Sequence, residues 1–218
     1  MRKIDKSKIL STVYKKWEEA LENNQEDHHP QYKSTHRFYT DVLMNLYHIQ
    51  DGLCAYTEMK ILASEYTFTK DNWVEGRYKS NKPKHFGELE HFDSALKSTQ
   101  AWLWDNLFMV MNKVNNEKRT NPTDPILKPD RPDYDPYELL DYDFEKQIFF
   151  ANIRSGKLNQ SEIDRINNMI DILGLNFVKD WRKPYVSKRI KALISGIELD
   201  PIEEYMTAFE ITRRNLNL

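Results

Sequence analysis

Glu88-Leu89-Glu90-His91-Phe92, then Trp104-Asp105-Asn106-Leu107, then Met111 to Lys118 (MNKVNNEK) form the stretch on which the fold of this chain turns. Apolar and polar residues alternate through HFGELEHF, His85 to Phe92, the period of a strand with one buried face. After a polar loop, the apolar run Trp102 to Met111 predicts a second strand. Asn112 to Thr120 is polar and helix-like, with Asn112 as its N-cap. The order is strand, loop, strand, helix.

Working outward, residues 6–24 carry Ile9, Leu10, Val13, Trp17 and Leu21 at helical spacing. NNQEDHHPQYK reads as a loop, with His28 and His29 exposed in it, and Ser34-Thr35 caps a second helix through about Gln50. Asp51-Gly52 breaks that helix. Residues 53–66 suit a short hairpin or turn, and 67–84 are polar with little periodicity. Residues 121–143 hold five of the nine prolines among many aspartates, an extended connector that docks through Ile126, Leu127, Tyr134, Tyr137 and Leu139. QIFFANI is a strand candidate, Ser155-Gly156 turns it, and helices follow near 160–173, 178–196 and 201–214. Three regions result: helical at 1–50, a core at 51–120, and a connector with a helical tail at 121–218.

Composition bounds the possibilities. The 218 residues carry 32 Lys+Arg against 34 Asp+Glu, a formal net charge of -2, so bulk charge does not announce a nucleic-acid partner. Phosphate contacts would need a local basic patch. One cysteine, Cys54, excludes an intramolecular disulfide and any zinc site of several cysteines, and suits a reducing cytoplasm. The N-terminal residues are too interrupted by charge for a signal peptide. No apolar run is long enough for a membrane span.

Glu90 and His91 are adjacent, Asn106 lies fifteen residues after His91, Asn115 nine after Asn106, and Lys118 three further on. In these residues the chain resembles the HNH endonucleases, whose ββα-metal motif closes its first strand on an acid-His pair. The resemblance implies an α+β, mostly helical protein with a central ββα-metal HNH core flanked by N- and C-terminal helices. It further implies that His91 is the general base and that Asn106 fixes the loop orienting it. Glu90 and Asn115 would hold Mg²⁺ or Mn²⁺, and Lys113, Lys118 and Arg119 would meet nucleic-acid phosphate. The chemistry suits the residue types. A neutral imidazole accepts a proton at cellular pH, and a hard cation prefers carboxylate and carbonyl oxygens. Because successive strand residues face opposite ways, one site for both Glu90 and His91 requires the strand to end or bulge there.

Many HNH proteins brace this motif with two Cys-x-x-Cys pairs. Here the first is Cys54-Ala55-Tyr56-Thr57, and Met111 and Val114 stand at the second. A single thiol does not hold a structural zinc, recruitment of His48 or His85 is disfavoured, and no structural zinc is expected. Cys54, Thr57, Met111 and Val114 are expected to form an apolar plug. CAYTE, ELEHFD, LWDNL, the proline-aspartate stretch and IDILGLNFVKDWR together are similar to the HNH proteins of bacterial defence loci, including the Septu-type HNH subunit. That similarity implies DNA as substrate and an ATPase partner. It fixes no oligomeric state.

The basic residues Lys79, Lys82, Lys84 and Lys97 also flank the centre, and Arg182, Lys183, Lys188, Arg189 and Lys191 form a second cluster. Both read equally as solvated faces. Trp102 and Trp104 read as core. Two alternatives to a nuclease stand beside it: a catalytically silent HNH-fold DNA-binding or scaffold subunit, and a helical interaction protein with a chance motif.

Overall fold

A computed structural model describes residues 1–23, 29–62 and 70–218. Its architecture is mixed α and β. Helices α1 (Thr12–Asn23) and α2 (Tyr39–Ile49) precede two short strands, β1 (Trp73–Val74) and β2 (Arg77–Tyr78). The central hairpin is β3 (Gly87–His91) with β4 (Leu107–Met111), and α3 (Asn112–Lys118) follows directly. Then come a helical turn α4 (Pro136–Leu139), β5 (Leu140–Asp143), β6 (Ile148–Ala151), and helices α5 (Gln160–Ile172), α6 (Lys179–Ile194) and α7 (Met206–Asn215). Each sheet among the described residues is a two-stranded antiparallel pair: β1-β2, β3-β4 and β5-β6. No helix among these residues is long and apolar enough to cross a membrane.

The hairpin lies in the core. Leu107, Phe108, Met109 and Val110 are all fully buried, so β4 is apolar on both faces rather than alternating. Its open edge is satisfied locally. The Gln50 amide donates to the Met109 carbonyl at 2.8 Å and accepts from the Met109 N–H at 3.0 Å, and Ala55 N–H donates to the same carbonyl. The CAYTE turn is thereby fixed against the hairpin. Gly87 lies where α2 approaches closely: a Cβ there would stand 2.6 Å from the Tyr47 hydroxyl oxygen and 2.7 Å from Ile61 Cδ1.

Several sequence expectations need correction. The second strand begins at Leu107, because Trp102 to Asn106 turn tightly, with Trp102 and Trp104 buried and the Tyr14 hydroxyl bonded to the Trp102 carbonyl. Asn112 is the first helical residue and caps nothing; Met111 is the N-cap, with no side-chain bond. The connector contains β5, paired with β6 from Leu140↔Ala151 to Asp143↔Ile148. Its Asp-Pro pairs also have a physical meaning. Asp124 and Asp135 each accept a backbone N–H two residues on, at a helical turn opened by Pro125 or Pro136. His29, expected in solvent, is buried and accepts at Nδ1 from the Trp102 N–H. The tail helices α5 and α6 fall where periodicity placed them, α5 opening on an Asn159–Glu162 capping box, whereas α7 begins at Met206, five residues later than expected. The possible hairpin at 53–66 and the polar stretch from 67 both run into residues 63–69, which lie outside the described residues.

Candidate functional site

The site is assembled on β3, the loop after it, and α3. Strand β3 stays regular to its end, with Glu90↔Phe108 and His91↔Leu107 in register. Of the two expected alternatives, an end or a bulge, the strand does end at His91 but without a bulge, so Glu90 and His91 point to opposite faces.

His91 is 5% exposed, and its imidazole Nε2 sits 2.9 Å from the Ala101 carbonyl oxygen. A carbonyl only accepts, so Nε2 carries the proton and Nδ1 holds the lone pair. Burial, with smaller contributions from the Lys97 and Lys118 charges and against the Ala101 bond, lowers its pKa to about 4. The ring is therefore neutral at cellular pH. Tyr32 stands edge-on to it, ring centres 5.2 Å apart.

Asn106 grips the backbone just past the histidine. Its amide accepts from the Asp93 N–H at 2.8 Å and donates to the Asp93 carbonyl at 2.9 Å. Its own carbonyl accepts from the Phe92 N–H. The loop leaving His91 is thus tied back to the start of β4 at three points, which holds Ala101 and His91 in mutual register.

Glu90 faces the other way, into the protein. Its carboxylate meets Lys118 Nζ at 2.5 Å and accepts from the Tyr56 hydroxyl at 2.5 Å. Lys118 also donates to the His91 carbonyl at 3.1 Å. Glu90 is 3% exposed and Lys118 fully buried. Burial pushes the Glu90 carboxyl above its ordinary value, while Lys118 and then Tyr56 pull it back. Lys118 consequently does not present itself to a phosphate, contrary to the sequence expectation; Lys113 on α3 and Arg119 just past its end are exposed. Arg182 of the second basic cluster is likewise buried, donating to the Leu175 and Gln147 carbonyls.

Asn115 lies one helical turn before Lys118, half-buried, and its Nδ2 donates to Glu88 at 2.9 Å. The structure thus does not bring Glu90 and Asn115 onto shared partners. It pairs Glu88 with Asn115 and Glu90 with Lys118, two rungs between the same face of β3 and the same face of α3. Sequence reasoning missed Glu88 and Tyr56. The signal for Glu88 was present, since residues two apart on a strand share a face. The Ala101 carbonyl carried no signal at all.

Cys54 and Met111 meet, the Met111 N–H lying 3.4 Å from Sγ, and both join the buried cluster with Val114. Among the described residues no group of three His, Cys, Asp or Glu is placed to hold a metal ion. No protein-family model, curated protein or solved structure matches this chain, so the functional reading rests on the geometry above.

Proposed function

We propose that the protein is an HNH-type endonuclease that hydrolyses phosphodiester bonds in DNA with His91 as general base. The supporting observation is the His91–Ala101 contact. It commits Nε2 as donor and leaves Nδ1 as the proton acceptor, on a ring that is neutral at physiological pH and set in place by Asn106.

The base would take a proton from a water attacking phosphorus, becoming imidazolium with its charge directed toward the Ala101 carbonyl, while the bond from phosphorus to the 3′ oxygen breaks and that oxygen leaves as a 3′-hydroxyl after taking a proton from solvent. Exposed Lys97, over the Tyr32 ring that stands against His91, offers a cation for the polyanionic strand near this face. The divalent ion implied by the resemblance, Mg²⁺ or Mn²⁺, is not served by Glu90 as placed, because both carboxylate oxygens are engaged with Lys118 and Tyr56 in the interior. An ATPase partner and a role in bacterial defence belong to the same proposal. The second reading, a silent HNH-fold DNA-binding or scaffold subunit, is favoured by the burial of His91 and Glu90.

The deciding experiment incubates the purified chain with supercoiled plasmid and Mg²⁺ or Mn²⁺, beside His91→Ala and an EDTA control. The nuclease reading expects nicking that is lost in both controls. Nicking that persists in His91→Ala refutes His91 as base. Plasmid binding without nicking in any metal supports the silent module.

A further inference from the structure

The proposed base lies under a cover. His91 is 5% exposed, and the one aromatic ring against its imidazole among the described residues is that of Tyr32, 5.2 Å away and close to perpendicular. Tyr32 is half-exposed and belongs to a stretch, residues 29–38, that forms no helix or strand. Over its ring stands exposed Lys97, the ammonium 5.3 Å from the ring centre. Exposure thus rises along the series from the buried imidazole through the Tyr32 ring to Lys97.

The stretch is tied down at its ends and not between them. At one end the His29 N–H donates to the Thr99 carbonyl at 2.7 Å, the His29 ring accepts from the Trp102 N–H, and the Trp102 indole donates to the Pro30 carbonyl at 3.0 Å. At the other end the His36 ring lies 4.4 Å from that of Trp102, and Phe38 is buried. Between them Gln31, Lys33, Ser34 and Thr35 are exposed, and no backbone group of 31–35 bonds to another element among the described residues. Tyr32 alone of these five turns inward, its ring 5.5 Å from that of buried Trp102 and 6.1 Å from that of Tyr39. Its holds are ring contacts and a hydroxyl contact with Tyr39, each individually weak. A loop anchored at both ends and pinned in the middle by one side chain lifts there without unfolding the rest.

We propose that Tyr32 controls access to the base: its ring, held down by Lys97, shuts water and phosphate out from His91, and a phosphodiester that draws the Lys97 ammonium to itself lets the ring lift. The inference rests on the reading of His91 as general base and assigns the residue that admits substrate to it. A cation over a partly exposed ring favours the closed form by about two- to fivefold. Phosphate oxygens are the stronger partner for an ammonium, so a bound strand removes that bias. Tyr32 is in this sense a positioning residue, acting on the reaction through what it lets reach His91. Diethyl pyrocarbonate, which acylates neutral imidazoles that it reaches, is the probe, applied to the full chain at neutral pH and read at each histidine by peptide mass spectrometry. Thermal melting of each variant alongside shows that it is folded. In wild type His91 is expected to react about tenfold or more slower than half-exposed His48 and His85. Tyr32→Ala is expected to bring His91 close to their rate while buried His29 stays protected. Tyr32→Phe keeps the ring and is expected between wild type and Tyr32→Ala, and Lys97→Ala is expected to speed His91 about two- to fivefold.

Protection of His91 retained in Tyr32→Ala, or a wild-type His91 as reactive as His48, would overturn the assignment. So would His29 and His91 becoming reactive together, which marks unravelling of the whole stretch. Plasmid nicking separates the two levels. His91-dependent nicking with His91 still protected in Tyr32→Ala defeats the access role and spares the nuclease. The expected acylation pattern without His91-dependent nicking, in wild type and in Tyr32→Ala alike, defeats the nuclease reading itself.

Discussion

Replacing Lys118 by methionine keeps the length and apolar stem of the side chain but deletes an ammonium that touches two acceptors: Glu90 at 2.5 Å and the His91 carbonyl at 3.1 Å. Glu90 is then a carboxylate sealed in the interior with only the Tyr56 hydroxyl beside it. Removing one partner of such a buried pair costs about 3–5 kcal/mol, because the remaining charge loses its compensation. For a chain of this size each kcal/mol lowers the melting temperature by about 2–4 °C, so Lys118→Met should melt roughly 6–20 °C lower. Removing the charge at the other end as well reverses most of the loss. Glu90→Leu with Lys118→Met leaves the Tyr56 hydroxyl stranded and the His91 carbonyl without its Lys118 donor, at about 1–3 kcal/mol for a buried polar group left unpaired. Urea unfolding of wild type, both single variants and the double closes a thermodynamic cycle, with an expected coupling of about 2 kcal/mol or more. Strict additivity, with the double variant as unstable as the sum of the singles, would refute a charge-pairing origin for the effect.

Other expectations follow from the same geometry. In metal-free protein His91 stays neutral down to about pH 4 while the unfolded chain protonates near its ordinary 6.5. The unfolded state therefore binds more protons between these values, and stability is unaffected above pH 6.5 and falls as pH drops toward 4, by up to about 3 kcal/mol. Urea midpoints in EDTA should show this slope in wild type and not in His91→Asn; parallel curves would contradict it. Gly87→Ala should destabilise by about 1–3 kcal/mol, since the new methyl meets the Tyr47 hydroxyl and Ile61 at 2.6 and 2.7 Å; an unchanged melting temperature would place α2 farther from the hairpin. Asn106→Ala should lose two backbone-directed bonds and about 1–3 kcal/mol, with faster hydrogen exchange at Asp93 as the local readout.

The hairpin and its helix were legible because alternation through ELEHF and the polar run after Met111 are local patterns. What covers each face was not legible. Glu88 and Glu90 are equivalent by alternation, and only Tyr56, delivered by the CAYTE turn from thirty-four positions earlier, makes one of them interior. The second strand was drawn too long because Trp102 and Trp104 are apolar without being extended. Their backbone is held by Tyr14 and Glu18 of α1 instead. Strand β5 hid among prolines and aspartates, since LDYD has no apolar run and pairs only through its distant partner IFFA. His29 looked like a solvated residue in a polar loop, yet its ring serves a tryptophan backbone seventy-three residues away. For the candidate site, the identities of His91, Asn106 and Asn115 were visible in spacing, whereas the pairing of carboxylates with Asn115 and Lys118 belongs to the folded chain.

The grip of Asn106 on Asp93 has a consequence for how this protein can change. A side-chain amide bonded to both backbone groups of one residue imitates an extra pair of the β-ladder, so the hairpin is closed at 93 and 106 whatever lies between. Closing a longer loop is cheap, about 0.6 kcal/mol for each doubling of its length. The exposed turn at Ser94–Ser98 can therefore accept inserted residues, while the end at Thr99 to Ala101, tied to His29 and His91, cannot. The segment beside the proposed base is thus divided into a part open to variation and a part held constant, which lets the neighbouring surface diversify without moving the imidazole.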